Sequence, residues 1–123
     1  MTYTNTWETK GLYRKFTGVI NRDEILESNL KLHIHPDFQK IKYIINDFRE
    51  VSWHAIENGH MRAYASSDEV IARTKGKLKI AIVVNQDALI DLANSYREQM
   101  KEKIFECEIF QTIGEARSWD SNE

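Results

Sequence analysis

Two stretches of the chain are apolar at nearly every position, IKYIINDF over residues 41–48 and KIAIVV over residues 79–84. Strands covered on both faces read this way. Both runs then meet polar residues, Asn46-Asp47 in the first and Asn85, Gln86 and Asp87 after the second. Ahead of them, Thr4 to Thr9 and Leu12 to Thr17 are rich in Thr, Trp, Tyr and Phe around Lys10-Gly11. That composition predicts a β-hairpin, with Gly18 closing its second strand. Ile25, Leu26, Leu30 and His33 recur at helical spacing, so a helix is expected from Arg22 to His33, with Asn21 as N-cap and Asp23 and Glu24 in its first turn. Pro36 forbids its continuation. Residues 49–60 carry no readable period. Met61, Tyr64, Ala65, Asp68, Ile71 and Ala72 predict a helix over Met61 to Thr74, although Ser66-x-x-Glu69 is a capping box that would start it later. Gly76 breaks the chain before the strand Lys79 to Val84. Leu89, Leu92, Ala93, Tyr96, Met100 and Ile104 form the apolar stripe of a long helix that reaches about Lys103, capped by Asn85 or Asp87. Phe105, Cys107 and Ile109 alternate with Glu106 and Glu108, as in a half-exposed strand near a sheet edge. Thr112-x-x-Glu115 is a second capping box, opening a short helix through Trp119.

Strands alternating with helices imply right-handed crossovers and an α/β fold with a mostly parallel sheet. The hairpin adds an antiparallel part, and about four helices cover the sheet, one face more lightly than the other. The 123 residues are read as one domain, 1–123. A net charge of −2 supplies no field to draw the chain onto nucleic acid or an anionic membrane. Cys107 is the only cysteine, so no disulfide forms within the chain, which fits a reducing compartment. The opening MTYTNTWETKG has neither the basic nor the apolar region of a secretory signal, and no apolar run is long enough to span a bilayer. A cytoplasmic setting is the expectation.

The order of four landmarks resembles the STAS-like proteins, and among them the SpoIIAA-like family of anti-sigma-factor-antagonist folds, grouped with SEC14-type domains. The landmarks are FTGVINRDEI leading into the first helix, KYIINDF and KIAIVVNQD as central strands, and IFQTIGEARSW at the close. The last carries F-x-T-x-x-E-A-x-x-W at Phe110, Thr112, Glu115, Ala116 and Trp119. The resemblance spans nearly the whole chain. It implies a small cytoplasmic regulatory or interaction module, usually without catalysis, that binds a partner protein or, in SEC14-type relatives, an apolar ligand. Members that act as switches carry a phosphorylated serine in a D-S-S-G-type loop after the first central strand. The corresponding NDFREVSWHAI has one serine, Ser52, and no such tetrapeptide.

Candidate binding residues follow from the strand ends. Ligands of open parallel sheets favour the crevice beyond the carboxyl ends of the strands, at a topological switch point. Asn46, Asp47, Asn85 and Asp87, with Ser52 and Trp53 in the intervening loop, are therefore the expected ligand or partner contacts. The competing reading makes Asp47 and Asp87 turn and cap residues that satisfy backbone amides. Ser52 is a candidate phosphorylation site, where the added charge would lie near Asp47 and Glu50. HIHPDF places His33, His35 and Asp37 in an H-x-H-x-D pattern, but Phe38 stands where a metallo-hydrolase has a further His, and no metal or cofactor is expected. Arg73, Lys75, Lys77 and Lys79 surround Gly76, either as an anion site or as solvated charges guarding a strand. They lack interleaved aromatics, so nucleic acid is not expected. Cys107 reads as a small buried hydrophobe.

Three functions compete on these grounds. A non-enzymatic module with a protein partner leads. A carrier of a small apolar ligand follows, and it calls for a pocket of about 300 Å³ or more. Last comes a hydrolase-like enzyme using Asp47 with His35 or His54. A homodimer through the edge strand Glu106 to Phe110 is conceivable.

Overall fold

A computed structural model of the chain describes residues 3–54 and 58–121. The side chains of residues 53–61, among them Trp53, His54 and His60, lie outside the described residues. The elements run β1 (Tyr3–Trp7), β2 (Gly11–Ile20), α1 (Arg22–His33), β3 (Tyr43–His54), α2 (Asn58–Lys75), β4 (Leu78–Val83), α3 (Asp87–Met100), β5 (Phe105–Phe110) and α4 (Ile113–Asp120). A 3₁₀ turn at Phe38–Lys40 joins α1 to β3. One five-stranded sheet has the order β1-β2-β3-β4-β5, antiparallel between β1 and β2 and parallel elsewhere. The fold is thus α/β and mostly parallel, with an N-terminal antiparallel hairpin and four α-helices, as expected from the sequence.

Each parallel strand is laid beside its predecessor in one direction across the sheet. Right-handed crossovers repeated in one direction put every connecting helix on the same face. Accordingly α1, α2 and α3 share a core with Leu12, Phe16, Ile44, Leu78, Ile80, Ile82 and Phe105. Helix α4 leaves β5 to the opposite face, where Ala116 packs on Ile45, Ala81 and Val83, with Trp119 at its margin. That alternation decides the burial of the central strands: even positions 44, 80 and 82 meet three helices, odd positions 45, 81 and 83 meet one.

The central strands are longer or shorter than their apolar runs. Strand β2 does not stop at Gly18 but continues to Ile20, and β3 continues to His54. Their ladder shifts register between Lys15 and Thr17 and again between Gly18 and Val19. In each step β3 contributes one residue more than β2, as in a β-bulge, and Gly18 takes φ +69° there. The β3–β4 ladder ends earlier, at Asp47 opposite Val83. Helix α2 begins ahead of Met61, so the Ser66-x-x-Glu69 box lies inside it. The N-cap of α3 is Gln86, not Asn85 or Asp87. Its Nε2 reaches across to the Val51 carbonyl at 2.6 Å, tying α3 to the extension of β3. No helix among the described residues is long and apolar enough to cross a membrane.

Candidate functional site

Strand alternation separates the two residues that the sequence paired. Asn46 faces the helices; Asp47 faces the opposite side of the sheet, with only 1% of its surface exposed. Asp47 accepts from the Tyr13 hydroxyl at 2.5 Å and takes the Arg49 guanidinium in a fork, Nε at 3.0 Å and Nη2 at 3.0 Å. Its Oδ1 also accepts from the Arg49 backbone N–H at 3.1 Å, the Asx geometry that steadies the first register shift. Burial raises its pKa, but the Arg49 and Tyr13 bonds outweigh that and leave it below the ordinary aspartate value. Asp47 lies inside β3 and not in a turn, although it does satisfy a backbone amide, that of Arg49. Asn85 and Asp87 are exposed, Asn46 is half-buried, and Ser52 is exposed within β3. The crevice expected at the strand ends has no topological basis, because the strand order never reverses and no switch point arises.

The H-x-H-x-D residues also diverge. His33 turns inward to Asp68, His35 stacks on Trp7 at 4.2 Å, and Asp37 pairs with Lys40 at 3.6 Å. No cluster of three His, Cys, Asp or Glu among the described residues could hold a metal. His35 Nδ1 accepts the Asp37 N–H at 3.1 Å, so this ring serves its own turn rather than Asp47. Of the basic run, Lys75 reaches the Ile41 carbonyl at 2.9 Å and Lys79 the Trp119 carbonyl at 2.9 Å, while Arg73 and Lys77 are exposed. The Cys107 thiol is pushed up by burial and then by Glu108, as suits a packed sulfur and not a nucleophile.

What the fold does bring together is a cavity of about 90 Å³ between the sheet and the three-helix layer. Most of its wall is apolar, from Ile44, Ile80 and Ile82 of the sheet to Leu89, Leu92 and Ala93 of α3. Arg14, His33, Asn46, Asp68 and Tyr96 also line it. Arg14 is 2% exposed. Its Nη1 donates to Asn29 Oδ1 at 2.7 Å and its Nη2 to Ser28 Oγ, whose hydroxyl donates onward to the Ile25 carbonyl at 2.8 Å. The guanidinium lies over the Phe16 ring at 5.2 Å and near Tyr3 at 5.8 Å. Burial lowers its pKa to about 10, which leaves it charged at neutral pH. Across the cavity, Tyr96 donates its hydroxyl to Asp68 Oδ2, and His33 Nε2 stands 3.6 Å from Asp68 Oδ1. Burial and then Asp68 hold the Tyr96 phenol protonated well above its ordinary range.

Three buried polar atoms of this set have no hydrogen-bond partner among the described residues: Arg14 Nε, His33 Nδ1 and Asn46 Oδ1. Buried polar groups are otherwise almost always paired, and each exception calls for a cause such as a bound molecule. Asn46 was picked out as a strand-end residue, for a crevice that the topology does not form, and it lines the cavity instead. Arg14, His33, Asp68 and Tyr96 were not legible as cavity residues, because each sits in a segment where an exposed polar residue is ordinary. The available signal was period: Arg14 falls between Leu12 and Phe16 on the inward face of β2, and Asp68 one turn from Tyr64 and Ala72.

No protein-family model and no curated protein matches this chain. Among solved structures, it is similar to an uncharacterized protein from Shewanella loihica PV-4, described as a DUF3478-family protein with a SpoIIAA-like fold. The two share 17% identity over 95% of this chain and 90% of that one, with a TM-score of 0.48.

Proposed function

We propose that this chain is a non-catalytic binding module whose helix-side cavity takes a small, mainly apolar ligand with a polar end. The observation that carries the reading is that three residues lining one cavity each hold a buried polar atom with no hydrogen-bond partner among the described residues. The non-catalytic part is supported by the make-up of the wall: among the described residues that line the cavity there is no serine, threonine, cysteine or lysine to act as a nucleophile. The volume sets the scale of the ligand. At about 90 Å³ the space is far below the 300 Å³ or so of a drug-sized site. A long acyl chain does not fit a space of that size; a molecule of a few heavy atoms does.

The test is a titration of the full chain, followed by methyl NMR, with a panel of four- to eight-heavy-atom probes, both charged and neutral. At least one probe class is expected to shift the methyls of Ile44, Ile80, Ile82, Leu89 and Leu92 saturably. Shifts that stay linear in every probe, or scatter over the surface, would contradict the reading and leave a water-filled void.

A further inference from the structure

The cavity's charge is arranged unevenly, and the unevenness names a ligand class. We propose that the ligand is a small organic acid, a monocarboxylate with a short branched tail, received by Arg14. This deepens the binding reading above and rests on it.

Arg14 is fully enclosed, yet its two bonded acceptors, Asn29 Oδ1 and Ser28 Oγ, are both neutral. Among the described residues no carboxylate is ion-paired to it. The acid that shares the cavity, Asp68, already has Tyr96 on one oxygen and His33 facing the other. A buried charge without a bonded counter-charge is costly, and fixed guanidinium cations are matched best by a planar carboxylate. Among the described residues Nε–H has no partner, and Nη2 keeps a second N–H beyond the one given to Ser28, so the Nε–Nη2 edge has the donors to hold a carboxylate side-on through two parallel bonds. Water could fill the same room and hydrogen-bond the same atoms, but it would bring no charge. The other walls suit the tail of such an acid: Ile44, Ile80, Ile82, Leu89, Leu92 and Ala93 are apolar. Asn46 completes the polar end, since turning its amide over presents an NH₂ where the free Oδ1 now stands.

The experiment compares isosteres. Full-length protein is titrated with isobutyrate, isovalerate and pivalate, and with isobutyramide, isovaleramide and pivalamide, at constant ionic strength. Cavity methyls and the Arg14 Nε–H resonance are followed together. The acids are expected to bind at least tenfold more tightly than their amides and to move Arg14 Nε–H, and Arg14→Lys, checked for a cooperative melt, is expected to reduce that preference severalfold. If Arg14→Lys does not fold, the wild-type comparison decides alone. Amides that match the acids while shifting the methyls would overturn the acid class and leave the cavity reading standing. Sodium chloride moving Nε–H as far as isobutyrate does would also overturn it, as an adventitious ion. No saturable response to any of the six compounds would overturn both.

Discussion

Arg14 and Ser28 form the tightest test at the level of single residues. Ser28→Ala removes the acceptor of a buried guanidinium N–H and leaves it unsatisfied, so a loss of about 1–3 kcal/mol in urea unfolding is expected. A change within 0.3 kcal/mol or so would mean that Arg14 finds another partner at no cost. Asp47 carries a pH dependence of definite sign. Its folded pKa lies below the ordinary 3.8, so its contribution is present above that value and is lost as pH falls through the folded pKa. Asp47→Asn should therefore be destabilised by about 1.5–3 kcal/mol at pH 7, and the gap to wild type should close in acid. Asp120 has the opposite sign. Burial raises its pKa to about 7, against the pull of Lys79 and Arg117, and neither carboxylate oxygen has a hydrogen-bond partner among the described residues. The folded state then binds a proton that the unfolded state has released, so stability falls as pH rises from about 4 to beyond 7. Melts of Asp120→Asn across pH 5 to 8.5 should lack that decline, and parallel curves for variant and wild type would contradict the assignment.

The elements show why some of the chain could be read and some could not. The α4 box was legible because its chemistry is local: Thr112 Oγ1 accepts the Glu115 N–H at 3.2 Å, and Thr112→Ala should cost about 1 kcal/mol, measured by thermal melting. The Ser66-x-x-Glu69 box has the same letters but sits inside α2, where the tertiary burial of Tyr64, Ala65 and Ala72 on one stripe overrides a local start. The α1 bounds and the apolar β3 and β4 runs were legible for the same reason that they fold, a period matched to a covered face. The extension of β3 was not, because it is built from two register shifts and a long-range bond from Gln86, none of which leaves a periodic trace. Gly11 shows a similar dependence on context. A Cβ there would overlap the Tyr43 ring, which bridges to Glu8 from the neighbouring strand. Gly11→Ala should cost about 1–3 kcal/mol, and much less in a Tyr43→Ala background, a coupling that a double-mutant cycle would read.

Across the whole molecule, the direction of strand addition decides where a ligand can sit. A sheet that grows one way has no switch point at its edge, so its connecting helices gather on one face and the space between the layers is the proposed site. The topology itself was legible from the strand and helix order. The proposed site was not: Asn46 was singled out for a strand-end crevice, and the other polar groups come from β2, α1, α2 and α3 and meet through packing rather than spacing. The most direct check is a crystal structure of the full chain soaked in 2-bromopropionate, with anomalous data at the bromine edge. The account predicts a bromine peak inside the cavity against Ile80 and Leu92, with the carboxylate on the Nε–Nη2 edge of Arg14. Ordered waters on Arg14 Nε, His33 Nδ1 and Asn46 Oδ1, with bromine absent from the interior, would contradict it.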